Sequence, residues 1–435
     1  MQLSLLRSGV CLLRIGCVVG LGWIATAGAA DIDLNTAIKR TLDHNPELQT
    51  FVFKHQQLEG ERLNARLRPP LAVGVEIENL AGSDEFKSVD AAETTIALSS
   101  VIELGGQRDS RLAAVNAREQ KLLMEQQALA LALVAETTRR YIDLLAAQSE
   151  QRIATDAQTL AQTTLQAVQR RVREGASPRA DALRAQAALA RTQLAIADTD
   201  NQQSKALNQL ALLWGRNNID FDWVVGDLLQ LTPPVASTNF AERLQNNPQV
   251  RLLADNIRLQ QAELSLAQSR DNPNLHWRVG VRQFQQANAA ALVAGIDIPL
   301  FSGGRNRGNH LIAEANLNSA RQQQDNNLRE LQTRLLNLSN DYATHFNQAA
   351  VLREQIIPAL EQALADADLA YQRGLYSYLE LVAANQDLID AQHKLIDTAA
   401  DALRLQADIE QLIAEPLSLS TPPNIDPATR PEVNQ

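Results

Sequence analysis

The scarcest chemistry in this 435-residue chain is the thiol: its only cysteines are Cys11 and Cys17. Both lie in an N-terminal stretch with the marks of a targeting segment. Arg7 and Arg14 precede an apolar run over residues 15–24, and the small residues 25–30 (ATAGAA) offer A-x-A cleavage sites. The run is too short to span a bilayer, so residues 1–30 are expected to be a secretory signal peptide removed on export. A lipid anchor at Cys17 is disfavoured, because Arg14-Ile15-Gly16 lacks the apolar residue usual at the start of that signal. With the signal gone no thiol remains. That excludes disulfides, cysteine metal sites and cysteine nucleophiles, and it suits an oxidising compartment.

Methionine is nearly missing too. Apart from Met1 there is only Met124, which argues against a methionine-lined path for soft copper or silver ions. Basic excess is absent: the formal charge is −10, and −12 once Arg7 and Arg14 are removed. With no basic stripe interleaved with aromatics, nucleic acid is not an expected partner. Beyond residue 30 no apolar run reaches the ~20 residues a spanning helix needs, so an exported chain of this kind is either soluble or inserted as strands. His44, His55, His276, His310, His345 and His393 are scattered, with no two-histidine zinc spacing on one helix. Most are expected to be solvated, with His276 on a wet strand face. No phosphate-binding glycine loop or nucleophile elbow occurs, so neither an enzyme nor a cofactor is expected.

What the chain does contain, it contains twice, about 200 residues apart. Residues 67–79 (LRPPLAVGVEIEN) and 272–284 read as alternating strands. Each is followed by a second strand ending in a double glycine, Gly105-Gly106 and Gly303-Gly304. Each double glycine opens a long Ala/Gln/Leu-rich stretch broken once by a glycine turn, at Gly175 or Gly374, and HNPEL at Pro46 is echoed by NNPQV at Pro248. The expected organisation is a first repeat over 31–239 and a second over 240–414. The first has strands near 71–79 and 94–104, a helical hairpin over 107–214 and a wrapping segment over 215–239. The second has strands near 274–284 and 291–301 and a hairpin over 305–414. The tail 415–435 is rich in proline and expected to be disordered.

The strands alternate with period two. Val73, Val75 and Ile77 oppose Glu76 and Glu78; Ile96, Leu98, Ile102 and Leu104 oppose Thr95, Ser99 and Glu103. Trp277, Val279 and Val281 oppose His276, Arg278 and Arg282; Leu292, Ala294, Ile296, Ile298 and Leu300 oppose Asp297. The polar stretches 80–92 and 285–290 would serve as external loops. A soluble sheet with one wet face is the commoner source of such a pattern. Against it, no further strands exist to form a second layer, and the polar face is densely charged. Strands of about ten residues fit a tilted crossing of an outer membrane. Four of them cannot close on themselves, and an open edge in hydrocarbon strands unpaired backbone groups. Identical copies must therefore complete the wall, and three copies give twelve strands.

From Gln107 to Arg173 there is neither proline nor glycine. Pro178 is expected at the first position of the returning helix, and Pro358 is expected to kink or interrupt the second outgoing one. Leu122, Leu129, Leu133 and Leu144, and later Leu381, Leu388, Leu395 and Leu412, are spaced for a helical seam. The glycine pairs Gly105-Gly106 and Gly303-Gly304 suit junctions where strand swings into helix.

These residues resemble the TolC family of outer-membrane efflux proteins over essentially the whole mature chain. The carriers are the duplicated strand pairs, the junction Ile102-Glu103-Leu104-Gly105-Gly106-Gln107-Arg108, and Tyr371-Gln372-Arg373-Gly374 leading into Leu379-Glu380-Leu381. The Glu-Leu-Gly-Gly-x-Arg form looks closest to the CzcC-like branch, which serves heavy-metal efflux. The resemblance implies a mixed fold of helices and transmembrane strands, in which a homotrimer forms a 12-stranded barrel continued by a periplasmic helical barrel. The barrel would stand in outer-membrane lipid and serve as a passive duct for a periplasmic adaptor and an inner-membrane RND-type pump. It implies adaptor-contacting tips at Gly175, Ala176, Ser177, Gly374, Leu375 and Ser377. It also implies an acidic aperture at Glu380 and Asp181, and latch positions at Tyr371 and Arg373. A second acidic ring found in some members is missing, because Ala383 stands at its position. By threefold symmetry one Glu380 near the axis would become three, attracting cations. Divalent heavy-metal cations are the expected cargo by this branch resemblance. A type I secretion or drug-efflux channel, or a periplasmic helical adaptor or scaffold, are the rival readings.

Overall fold

The computed structural model describes residues 31–86, 89–215, 219–234, 243–300 and 304–416. The expected signal peptide (1–30), Gly303 and nearly all of the tail lie outside the described residues. Helices α1 (Leu34–His44) and α2 (Pro46–Arg66) lead into β1 (Ala72–Glu78) and β2 (Glu93–Ile102). The hairpin α3 (Gln107–Arg173) and α4 (Arg179–Leu212) follows. The second half runs α5 (Pro248–Ser269), β3 (Leu275–Phe284), β4 (Ala289–Asp297), α6 (Arg307–Val351), α7 (Ile357–Gln372) and α8 (Tyr378–Ile413). The fold is thus mostly helical with one antiparallel sheet. No helix among the described residues is long and apolar enough to cross a membrane.

At 67 residues α3 extends for about 100 Å at 1.5 Å per residue. Nothing in 107–173 interrupts its hydrogen-bond ladder, and its seam positions Leu122, Leu133 and Leu144 are buried. Pro178 sits one place earlier than the sequence suggested. It is the N-cap of α4, with an extended ψ of 148°, rather than its first helical residue. Pro358 does disturb the outgoing helix, by a defined device. It has no N–H for the carbonyl four residues back, and the ladder widens into a π-helical turn over Leu352–Ile356 just before it. The fourth strand ends at Asp297, short of the expected 301, because Pro299 cannot donate to a ladder.

The sequence reading assigned no helix to α1, α2 or α5, although it singled out both Asn-Pro landmarks. Those landmarks are helix splices. Asn45 Oδ1 accepts from the Glu47 N–H at 2.9 Å, opening α2, while its Nδ2 donates to the Leu213 carbonyl at the end of α4 at 2.7 Å. Asn247 repeats the arrangement. Its Oδ1 accepts from Gln249 N–H at 2.7 Å, opening α5, and its Nδ2 donates to the Gln411 and Leu412 carbonyls of α8 at 3.0 and 2.7 Å. One side chain thereby satisfies orphan groups of two helix ends and stacks the helices end to end.

The splices organise the molecule into four tracks: α4 continued by α2, then α3, then α8 continued by α5, then α6 with α7. Near the sheet the packing order is α2–α3–α5–α6; toward the hairpin turns it is α4–α3–α8–α6/α7. The sheet order is β1-β2-β3-β4. Strand order and track order coincide, so each strand is prolonged by its own helical track. Between the two ends, the segment 219–234 wraps the bundle. Tyr141 donates to the Ile32 and Val225 carbonyls at 3.0 and 2.6 Å, and Tyr342 donates to the Thr232 carbonyl. Burial pushes both phenols up to about 12, so both stay protonated and bonded at ordinary pH.

Candidate functional site

Three features stand out from an ordinary helical protein: a sheet with two unlike faces, its junctions to the helices, and the hairpin turns at the far end. The sheet register sets Val75, Ile96, Val281 and Leu292 in one row, and Val73, Leu98, Val279 and Ala294 in the next. These apolar side chains are not covered: Val73 is 72% and Leu292 85% exposed. Continuous exposed apolar surface on this scale marks contact with lipid or a partner.

On the other face the rows hold Glu78 and Glu93 opposite Phe284, then Glu76 and Thr95 opposite Arg282, then Ser99 opposite Arg278, and His276 opposite Asp297. Arg278 pairs with Glu76 at 3.6 Å. Arg282 pairs with Glu78 at 2.7 Å and Glu93 at 3.0 Å, and its Nε donates to the Thr95 hydroxyl at 2.9 Å. One face is therefore a wet, ion-paired wall and the other is oil. Among the described residues the outer strands β1 and β4 each pair on one side only, leaving two open edges.

At the junction after β2, Gly105 and Gly106 have φ of +74° and +70°. A Cβ at Gly105 would lie 2.2 Å from Asn272 Nδ2, so the close approach as well as the dihedral demands glycine. Arg111 holds Glu103 through both guanidinium arms at 2.6 and 2.9 Å, and Arg108 donates to the Arg66 carbonyl at 2.9 Å. The strand-to-helix corner is thus braced. Gly304 begins the corresponding turn before α6.

The two hairpin turns are built alike. Gly175 and Gly374 take φ of +74° and +77°. In the first, Gly175 N–H donates to the Val172 carbonyl and Ala176 N–H to that of Arg171; in the second, Gly374 donates to Tyr371 and Leu375 to Ala370. Both are Schellman closures, which need the left-handed residue that glycine supplies. Ala176, Gly374 and Leu375 are exposed, and Ser177 is half-buried.

Tyr371 is 2% exposed, in a cluster with Leu165, Val168, Ala185, Tyr378 and Leu381. Arg373 is exposed. Beside Tyr371, Arg171 also links the hairpins at this end, a residue that sequence reasoning missed. Its guanidinium lies 4.8 Å from the Tyr371 ring centre and donates to the Tyr371 and Gln372 carbonyls at 2.7 and 3.2 Å. It thus neutralises the C-terminal end of α7 from a neighbouring helix.

Glu380 and Asp181 occupy matching positions in the sequence but unlike surroundings. Glu380 is exposed and closes a capping box: it accepts from Ser377 N–H at 2.6 Å while Ser377 Oγ accepts from Glu380 N–H at 3.4 Å. The backbone hydrogen bond from Ser377, then that from its hydroxyl, holds the Glu380 carboxyl below the usual range. Asp181 is largely covered, 3.5 Å from Arg184. Among the described residues no hydrogen bond or ion pair joins the two. Two histidines expected to be solvated are paired instead. His310 lies 3.2 Å from Asp271, and His393 on α8 bonds Glu150 on α3, whose carboxylate raises the imidazole above its ordinary pKa. Among the described residues no group of three or more acidic, histidine or cysteine side chains is placed to hold a metal ion.

Comparison with known proteins adds to this geometry. The model of the family described as outer membrane efflux protein matches residues 37–216 and 240–415. The chain is 26% identical over 388 residues to the cobalt-zinc-cadmium resistance protein CzcC of Cupriavidus metallidurans, covering 88% of this chain and 90% of that protein. It is 23% identical over 385 residues to the cation efflux system protein CusC of Escherichia coli K12, covering 84% and 83%. In fold it is similar to a crystal structure of a membrane protein from Pseudomonas aeruginosa, with a TM-score of 0.75 at 17% identity over 90% of this chain and 92% of that one. It is similar to CusC likewise, with a TM-score of 0.73 at 18% identity over 88% and 92%.

Proposed function

The chain belongs to the outer membrane efflux protein family, and on that premise we propose how its parts make a duct. It is an efflux channel of the outer membrane that reaches into the periplasm. Three copies join β4 and the α6/α7 track of one chain to β1 and the α2/α4 track of the next. Each repeat, 31–239 and 240–414, supplies two strands and one hairpin, and the closed assembly has a 12-stranded barrel above a helical one. The observation that carries this reading is the coincidence of strand order with track order, with both edges open. Closing the sheet then closes the helical wall in the same operation, and removes the unpaired edge that hydrocarbon cannot tolerate.

The apolar rows face lipid and the ion-paired face lines the water-filled lumen. In this reading the duct conducts passively. An inner-membrane pump of the RND type and a periplasmic adaptor drive it, the adaptor meeting the turns at Gly175, Ala176, Ser177, Gly374, Leu375 and Ser377. The cargo is divalent heavy-metal cations, by analogy with the relative named for cobalt, zinc and cadmium resistance. Deleting the gene should sensitise cells to cobalt, zinc or cadmium and leave drug tolerance unchanged. Sensitisation to drugs alone would contradict the cargo assignment.

Glu380 is the aperture residue in this reading, three copies facing the axis, and its capping role is compatible with that because the carboxylate stays exposed. Tyr371 and Arg171 take the latch role, with Arg373 free for a neighbouring subunit. In planar bilayers, Glu380→Ala should weaken block by a polyvalent cation added from the periplasmic side. Unchanged block would remove Glu380 from the aperture.

A further inference from the structure

The ion-paired face of the sheet holds a cluster whose geometry goes beyond what a wet wall requires. Arg282 on β3 reaches across two strands: Nη1 meets Glu93 at 3.0 Å and Nε donates to Thr95 Oγ1 at 2.9 Å on β2, while Nη2 meets Glu78 on β1 at 2.7 Å. Thr95 is 3% exposed beneath the guanidinium. The Glu78 contact is an ion pair without hydrogen-bond alignment. Among the described residues Glu78 Oε2 accepts no hydrogen bond although that atom is shut off from solvent, and its ion pair there is with Arg282. Remove the guanidinium, and two carboxylates and a hydroxyl from two strands converge on an empty centre. Hard oxygen donors of this kind, at least two of them anionic, are what a divalent cation seeks.

Position makes this matter. Glu78 ends β1 and Glu93 begins β2, with Glu76 one row inward, so the cluster lies next to the 80–92 loop, at the outer end of the barrel in the reading above. The strand residues of this face carry Glu76, Glu78, Glu93 and Asp297 against Arg278 and Arg282, and threefold repetition triples that acidic surplus. A bare oxygen cluster at the exit would retain the cations that the duct must release. Resting on the trimeric-duct reading, we infer that Arg282 is the residue that sets how the barrel mouth treats cations. Its guanidinium is a built-in counter-ion occupying what would otherwise be a divalent-cation site.

The test compares purified wild-type, Arg282→Gln, Arg282→Lys and Glu78→Gln/Glu93→Gln proteins in planar bilayers, with zinc ion alone as probe. Arg282→Gln should be half-blocked at a zinc concentration at least about tenfold below that for wild type, from the loss of a unit charge a few ångströms from the carboxylates. Arg282→Lys keeps the charge but not the three-way contact, and should block like wild type. A purely structural staple would instead leave Lys as impaired as Gln. The Glu78→Gln/Glu93→Gln channel leaves Arg282 uncompensated, and its reversal potential in a KCl gradient should shift toward chloride selectivity. Equal zinc block in wild type and Arg282→Gln, or an unmoved reversal potential in the double variant, overturns the inference. If the wild-type protein forms no pore at all, the duct reading falls and this inference falls with it.

Discussion

Val281→Arg is expected to abolish assembly. Val281 lies three residues from the outer end of β3, in the row with Val75, Ile96 and Leu292, on the exposed apolar face. Arginine on the lipid face of a barrel costs about 2–4 kcal/mol at the midplane and about 0–1 near an interface, so this depth gives roughly 1–3 kcal/mol. Threefold symmetry places one in each copy, so the assembly bears roughly 3–9 kcal/mol, a large share of the whole stability of a folded domain. The adjacent residue is already arginine. Arg282 points to the opposite face and is held by Glu78, Glu93 and Thr95, so the contrast isolates the face and not the residue type. Heat-modifiable oligomer in outer-membrane extracts should vanish for Val281→Arg. A soluble one-layer sheet gives the opposite sign, because a charge on an exposed apolar face improves solubility; wild-type amounts of oligomer would favour that view.

Asn247→Ala is the second large effect, on the folding of each subunit. Asn247 is 1% exposed and makes three side-chain hydrogen bonds, two to the closing carbonyls of α8 and one from the opening N–H of α5. Alanine leaves those groups buried without partners. A lost N-cap costs about 1 kcal/mol, and each of the two orphaned carbonyls adds about 1–3 kcal/mol, giving roughly 3–7 kcal/mol for the splice. Asn45→Ala should cost less, since Asn45 donates to a single carbonyl, that of Leu213. Thermal unfolding in detergent should show a fall of several degrees for Asn247→Ala and a smaller fall for Asn45→Ala. Identical melting of Asn247→Ala and wild type would mean that the end-to-end stacking does not depend on the asparagine.

Much of this architecture was legible in the sequence because it rests on local rules. The unbroken run from Gln107 to Arg173 can only be helix at that length. Period-two alternation fixed which residues of each strand share a face, and the observed register agrees across all four strands. Glycine at 175 and 374 announced the turns. What escaped was tertiary. The two Asn-Pro pairs stand out in the sequence only as a repeat, and it takes the distant helix ends at Leu213 and Leu412 to show that they open α2 and α5. Arg171 is one of three arginines in the last turn of α3, and only the packing of the second hairpin shows which one reaches Tyr371. The Arg282 cluster needs the cross-strand register, which sequence alone leaves open. One missed feature was local after all: Ser377-x-x-Glu380 is a capping-box pattern, and it explains Glu380 before any role at an axis is invoked.

An open four-stranded sheet can stand in lipid only when copies of the chain complete it. The direct measurement is the native mass of the mature protein extracted from outer membranes in mild detergent. A mass of three chains, lost when detergent is withdrawn, is the predicted result. A stable single chain in plain buffer would contradict it.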